Sequence, residues 1–144
     1  MTKILFVCHG NICRSPMAEF VLKDLVRKAG RAGAFEIASV AVSREELGNP
    51  IYPPAQRELN RRGVPFDRRA ARQITEADLL HFDHIYYMDR SNARYLRSMF
   101  GSKADKCRPL LSRDVADPWY TGDFSQTWED ILAGCMAILK ELDT

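Results

Sequence analysis

An apolar run that stops at a cysteine constrains this chain more than any other feature. Ile4, Leu5, Phe6 and Val7 form an unbroken apolar stretch behind Lys3, which reads as a strand buried on both faces. Cys8 therefore stands at the strand's carboxyl end, followed by His9, Gly10, Asn11, Ile12, Cys13 and Arg14. Ser15-Pro16 then supply the pair expected at the N-cap and first position of a helix. Strand, short loop and helix in that order make an anion site. Gly10 is expected to take positive φ freely and Asn11 to tolerate the left-handed region. The loop then curls with its N–H groups inward, at the positive end of the helix. Arg14 adds a planar fork suited to two phosphate oxygens. A sulfur at the floor of such a bowl lies among groups that stabilise an anion, the surroundings in which a cysteine serves as a nucleophile. Cys8 and Cys13 could instead be metal ligands, but no further Cys/His cluster completes a tetrahedral set, so neither metal nor cofactor is expected.

The rest of the chain supplies a sheet and its covering helices. Ala18, Val21, Leu22, Leu25 and Ala29 recur at three- and four-residue spacing, predicting an amphipathic helix over 16–29 stopped by Gly30. Phe35 to Val42 reads as a second strand, and with the helix before it makes a right-handed βαβ unit. A loop opened by Ser43-Arg44-Glu45-Glu46 and punctuated by Gly48-Asn49-Pro50 and Pro53-Pro54 leads to a helix near Ala55–Arg62, with Gly63 as its stop. Thr75-Glu76-Ala77-Asp78 resembles a capping box ahead of a short helix, and His84 to Met88 reads as a third buried strand. Residues 91–100 look helical, with Leu96, Met99 and Phe100 on one face; Lys106 to Leu111 is a weaker fourth strand limited by Pro109. Trp128, Ile131, Leu132, Cys135, Leu139 and Leu142 stripe a last helix over 126–142, expected on the sheet's other side.

This alternation predicts an α/β fold: three layers, a four-stranded parallel sheet with helices on both faces, and a phosphate-binding loop after strand 1. With 144 residues, 46% hydrophobic and 28% charged, one domain over 1–144 suffices. Met1-Thr2-Lys3 leads straight into the strand and no apolar run nears ~20 residues, so neither signal, membrane span nor membrane partner is expected. Four spaced cysteines fit thiols in a reducing, cytoplasmic setting, and a net charge of +2 gives no argument for nucleic acid.

Phosphoryl transfer to a thiolate still needs a proton for the departing oxygen, from an acid outside the bowl. Asp117-Pro118-Trp119-Tyr120 supplies the candidate: proline fixes the loop, and two aromatics can shield the carboxyl and line a slot for an aromatic leaving group.

A cysteine and an arginine separated by five residues form the loop of phosphatases that pass through a cysteinyl-phosphate. The fuller string VCHGNICRSP resembles the low-molecular-weight protein tyrosine phosphatase family, and the likeness runs along nearly the whole chain, including Ala71-Arg72-Gln73-Ile74 and Met88-Asp89 before Ser91-Asn92. The resemblance implies a phosphotyrosine hydrolase releasing phosphate, with Cys8 as nucleophile, Arg14 and residues 9–15 as phosphate loop, and Asp117 as general acid. It also implies that Ser15 donates to the cysteine sulfur and that Asn11 holds the loop through side-chain hydrogen bonds, while Arg72 and Asp89 read as structural groups needing partners. Cys13, five residues after Cys8, is a candidate redox partner for it.

Two departures stand out. Glu45 occupies the loop where many relatives carry an aromatic wall of the slot, and Arg69 stands where many carry a histidine, so the network around Asn11 is expected to be built differently. A phosphoarginine phosphatase of the same family carries threonine where this chain has Ile12. A thiol-dependent arsenate reductase of the same fold would need redox cysteines in residues 75–100, which contain none. A non-catalytic phosphoprotein-binding module is the remaining alternative, and the complete Cys8, Arg14 and Asp117 set argues against it.

Overall fold

In the computed structural model, which describes residues 1–142, the buried run behind Cys8 is the centre of a four-stranded sheet. Strands β1 (Thr2–Cys8), β2 (Phe35–Ala41), β3 (His84–Tyr87) and β4 (Cys107–Pro109) lie in the order β2-β1-β3-β4, all pairings parallel. Cys8 pairs with Ala41 and Val7 with Tyr87, so the loop after β1 emerges where the strand order reverses direction, the place where open α/β sheets bind ligands.

Alternation along β1 divides the core in two. Ile4, Phe6 and Cys8 face α1 (Arg14–Lys28), α2 (Pro53–Arg61) and α6 (Phe124–Leu142), packing with Met17, Leu22, Leu59 and Ile131. Leu5 and Val7 face α3 (Glu76–His81) and α4 (Arg90–Phe100), packing with Leu79 and Leu96. The three layers are therefore as the alternation of elements predicts. The expected place of α6 is corrected: it packs beside α1 on the same face, and α3 and α4 cover the other. Periodicity fixes which stripe of a helix is buried and is silent about which face of the sheet receives it. Met99 is likewise exposed, so Leu96 alone anchors α4 fully.

Boundaries follow local chemistry. Thr75 and Asp78 form a capping box at α3, as the sequence indicates, and Asp89 and Asn92 form a second at α4. Strand β4 is shorter than expected, and Pro109 is tolerated in it because its nitrogen lies on the outer side of this edge strand, while the next residue, Leu110, still donates its N–H to the Tyr87 carbonyl at 2.9 Å before the chain turns away. Gly134 lets α6 close on that segment, since a Cβ there would stand 2.5 Å from Leu110 Cγ. Pro118 opens a short helix α5 (Pro118–Thr121), which carries the Asp117 motif between β4 and α6. Among the described residues no helix is long and apolar enough to cross a membrane.

Candidate active site

The loop between β1 and α1 is held from outside by its carbonyls. The His9 carbonyl accepts from Ser43 N–H at 3.0 Å and Ser43 Oγ at 2.9 Å, the Asn11 carbonyl from the Arg69 guanidinium, and the Ile12 carbonyl from Tyr52 N–H at 2.9 Å. No peptide here is cis, so each N–H points opposite to the carbonyl it shares a plane with. The N–H groups of Gly10, Ile12 and Cys13 are therefore turned to the other side, while those of Asn11 and Ser15 donate to Cys8 Sγ at 3.3 and 3.4 Å. The result is a ring of donors around the sulfur at the start of α1.

Asn11 takes the left-handed conformation, φ 58°, that the sequence assigns to it. Gly10 does not take positive φ, a correction: its small size is used instead, because a Cβ there would lie 3.2 Å from Glu46 Cγ. Asn11 Nδ2 donates to Ser15 Oγ at 2.8 Å and Ser39 Oγ at 3.0 Å, and its Oδ1 accepts from Arg72 N–H at 3.3 Å. Ser39 Oγ donates in turn to Glu19 at 2.6 Å. Ser15 is not an N-cap, the second correction. The helix begins two residues earlier than expected, at Arg14, Cys13 occupies the cap position without a side-chain bond, and Ser15 Oγ sits 3.0 Å from Cys8 Sγ. A hydroxyl enclosed by Cys8, Asn11 and the Val40 carbonyl has stronger local partners than a free helix N–H.

Arg14 is only 2% exposed, and an unpaired guanidinium at such depth would cost several kcal/mol. Its Nη1 donates to Asp89 Oδ2 at 2.7 Å and to the Val115 carbonyl at 2.8 Å, and Nη2 reaches Asp117 Oδ2 at 3.3 Å. Burial works against its charge, and the negative charge at Cys8, Asp117 and Asp89 outweighs it, leaving the guanidinium pKa above its ordinary value. Asp89, read from the sequence as structural, thus has two functions: it caps α4 with one oxygen and orients Arg14 with the other. Arg72 is also paired, bidentate to Asp78 at 2.9 Å on each arm, although its side chain is half exposed and only its N–H serves the loop.

Asp117 caps α5, accepting from Trp119 N–H at 3.0 Å through Oδ1 while Oδ2 faces Arg14. A cavity of about 130 Å³ lies between these groups, lined by Cys8, His9, Gly10, Ile12, Cys13 and Arg14 from the loop, by Glu45 and Glu46, and by Asp117, Trp119 and Tyr120. Every residue singled out for the site from the sequence except Asn11 and Ser15 lines it, and those two stand behind the sulfur.

The aromatic pair divides its work: Trp119, 51% exposed, packs at a tilt of 47° against Tyr52 at 4.7 Å between ring centroids, whereas Tyr120, 84% exposed, stands at the mouth and shields little. Tyr52 and Glu46 are site residues that the sequence reading missed. Tyr52 is the one aromatic in the loop before Pro53-Pro54, the available signal. Glu45 faces the cavity and is bridged to His9 Nε2 at 2.8 Å; the His9 ring meets the edge of Tyr95 at 5.5 Å.

The family model for low molecular weight phosphotyrosine protein phosphatase matches residues 3–144. The chain belongs to that family. It is 41% identical to the low molecular weight protein-tyrosine-phosphatase YfkJ of Bacillus subtilis, over 99% of this chain and 96% of that one, and the YfkJ crystal structure superposes with a TM-score of 0.95, covering 99% and 95% of the two chains. The low molecular weight protein tyrosine phosphatase SP-PTP of Streptococcus pyogenes is similar at 40% identity and TM-score 0.92, with 99% of this chain and 93% of that chain covered. A Drosophila arginine phosphatase is 29% identical with a TM-score of 0.89, each chain covered to 99%. In the present chain Glu45 contacts His9, and Arg69 the loop backbone.

Proposed function

We propose that this member of the family hydrolyses phosphotyrosine through a cysteinyl-phosphate formed on Cys8. The observation that carries the reading is convergence: one sulfur, a ring of loop N–H groups, the buried Arg14 fork and the Asp117 carboxyl all line or back a single cavity. In the first step the Cys8 thiolate forms the S–P bond as the bond to the tyrosine oxygen breaks, and Asp117 gives its proton to that oxygen. Arg14 and the amides hold the equatorial oxygens, where charge develops. In the second step Asp117 takes a proton from water, whose oxygen attacks phosphorus; the S–P bond breaks and inorganic phosphate leaves. Ser15 Oγ and the Asn11 and Ser15 N–H groups receive the returning thiolate. Phosphate is the product and phosphotyrosine proteins or aryl phosphates the substrates; four free thiols support a reducing cytoplasm.

Ile12 and Trp119 favour an aryl ester. A ring between phosphorus and the surface fits a walled slot, while the short arm of phosphoserine does not bring phosphorus to the sulfur, and Ile12 offers a guanidino group no hydrogen bond. Glu45, with its side chain 68% exposed, favours basic residues beside the phosphotyrosine and weakens ring binding. The test is kcat/KM on matched phosphotyrosine, phosphoserine and phosphoarginine peptides, with Glu45→Trp alongside. Phosphotyrosine is expected to be fastest and Glu45→Trp to tighten aryl phosphates; faster phosphoarginine hydrolysis would overturn the substrate class.

Cys13 adds a redox reading. It is buried, and burial foremost, then the neighbouring Cys8 charge, pushes its thiol far above the ordinary range, so Cys13 is not itself a sulfur that oxidises readily. Peroxide converts the Cys8 thiolate to sulfenic acid, and Cys13 then displaces water to give a disulfide that external thiols reduce. Parent enzyme is expected to recover from peroxide and Cys13→Ala to recover less; equal recovery would leave Cys13 a packing residue.

A further inference from the structure

Of the loop carbonyls that face outward, one is held by a charged group. His9 and Ile12 carbonyls accept from neutral donors, Ser43 and the Tyr52 N–H, whereas the Asn11 carbonyl accepts from the Arg69 guanidinium. Arg69 also donates to the Asn49 carbonyl at 3.3 Å, an oxygen already bonded to Ala71 N–H at 2.8 Å, so its two arms tie the phosphate loop to the segment that carries Tyr52. The Asn11 carbonyl shares its peptide plane with the Ile12 N–H, and Ile12 lines the cavity. A cation on the carbonyl oxygen draws electrons along the amide, which makes the N–H at the other end a stronger donor.

We infer that Arg69 is a positioning residue for the phosphoryl group: through the Asn11–Ile12 peptide it fixes the loop at its left-handed residue and polarises the Ile12 N–H toward the oxyanion. The inference rests on the phosphatase reading above. Asn11, at φ 58°, is the strained point of the loop, and its side chain is fully used by Ser15, Ser39 and Arg72. Its carbonyl is the remaining handle, and Arg69 occupies it. Partial burial lowers the guanidinium pKa, opposed by the charges of Glu19 and Cys8, and Arg69 does not line the cavity.

The experiment measures binding of inorganic phosphate and vanadate by calorimetry, and kcat and KM on para-nitrophenyl phosphate, for the parent and for Arg69→Met, Arg69→Lys and Arg69→Gln, with melting curves for each. Losing the charge-assisted bond is expected to weaken vanadate about tenfold in Arg69→Met and to lower kcat more than it raises KM. Arg69→Lys should restore vanadate affinity to within about threefold of the parent, and Arg69→Gln, a neutral donor, should fall between. A folded Arg69→Met that binds vanadate like the parent overturns the inference, as does Arg69→Lys binding no better than Arg69→Gln. The second comparison decides the matter if the methionine variant does not fold. An inactive parent that still binds phosphate would instead count against the phosphatase reading, because oxyanion binding is read without turnover.

Discussion

Cys8→Ser is expected to abolish turnover of aryl phosphates, a loss on the order of 10⁵-fold or more if the nucleophile counts here as it does in other covalent enzymes. The exchange alters one atom at a site 3% exposed, so fold and bowl should survive. The contacts around the sulfur explain why the chemistry should not. Asn11 N–H, Ser15 N–H and Ser15 Oγ are spaced at 3.0–3.4 Å for a large polarisable anion. A serine hydroxyl has no base in contact with it to take its proton, because the groups around that atom are the Asn11 and Ser15 N–H groups and Ser15 Oγ. The variant should still bind phosphate and vanadate through the loop amides and Arg14, and should hold phosphotyrosine proteins without releasing them. Residual turnover of a few per cent would mean that water attacks phosphorus directly and that Cys8 only binds.

The parts of this site that were legible in the sequence are those that local chemistry fixes. A strand that ends in Cys8, a loop residue able to go left-handed, and a proline-fixed Asp117 each announce themselves within a few residues, and all three stand where that reading places them. What was not legible depends on partners far along the chain. Asp89 reads as a structural group in need of a partner, and nothing nearby reveals that Arg14, 75 residues away, takes one of its oxygens while Asn92 N–H takes the other. The same holds for Ser39 and Glu19 behind Asn11, for Tyr52 beneath Trp119, and for the face on which α6 lands. Gly10 shows a subtler limit: a glycine in a tight loop invites a conformational explanation, whereas the approach of Glu46 from another segment supplies a steric one. Motif spacing identifies the groups that line the cavity, and the supporting shell is a property of the folded sheet.

That shell bears directly on Asp117, whose removal should give the second large effect. Asp117→Ala is expected to slow the chemical step on phosphotyrosine peptides by ~10²–10⁴-fold with KM unchanged or lower, the usual size of general acid catalysis. The alanine variant also loses the cap on Trp119 N–H and the contact with Arg14 Nη2, so by itself it mixes proton transfer with loop order. Asp117→Asn separates them: the amide oxygen can still cap α5, but the side chain has no acidic proton to give. If Asp117 is the acid, both variants should be slow by similar factors. Both should also lose far less on para-nitrophenyl phosphate, whose leaving phenolate departs with little help, than on phosphotyrosine, whose more basic oxygen needs the proton. Equal losses on the two leaving groups would assign Asp117 to ordering the loop and Arg14, and the proton would then have to come from elsewhere in the cavity, where Glu45 and Glu46 are the other carboxyl groups.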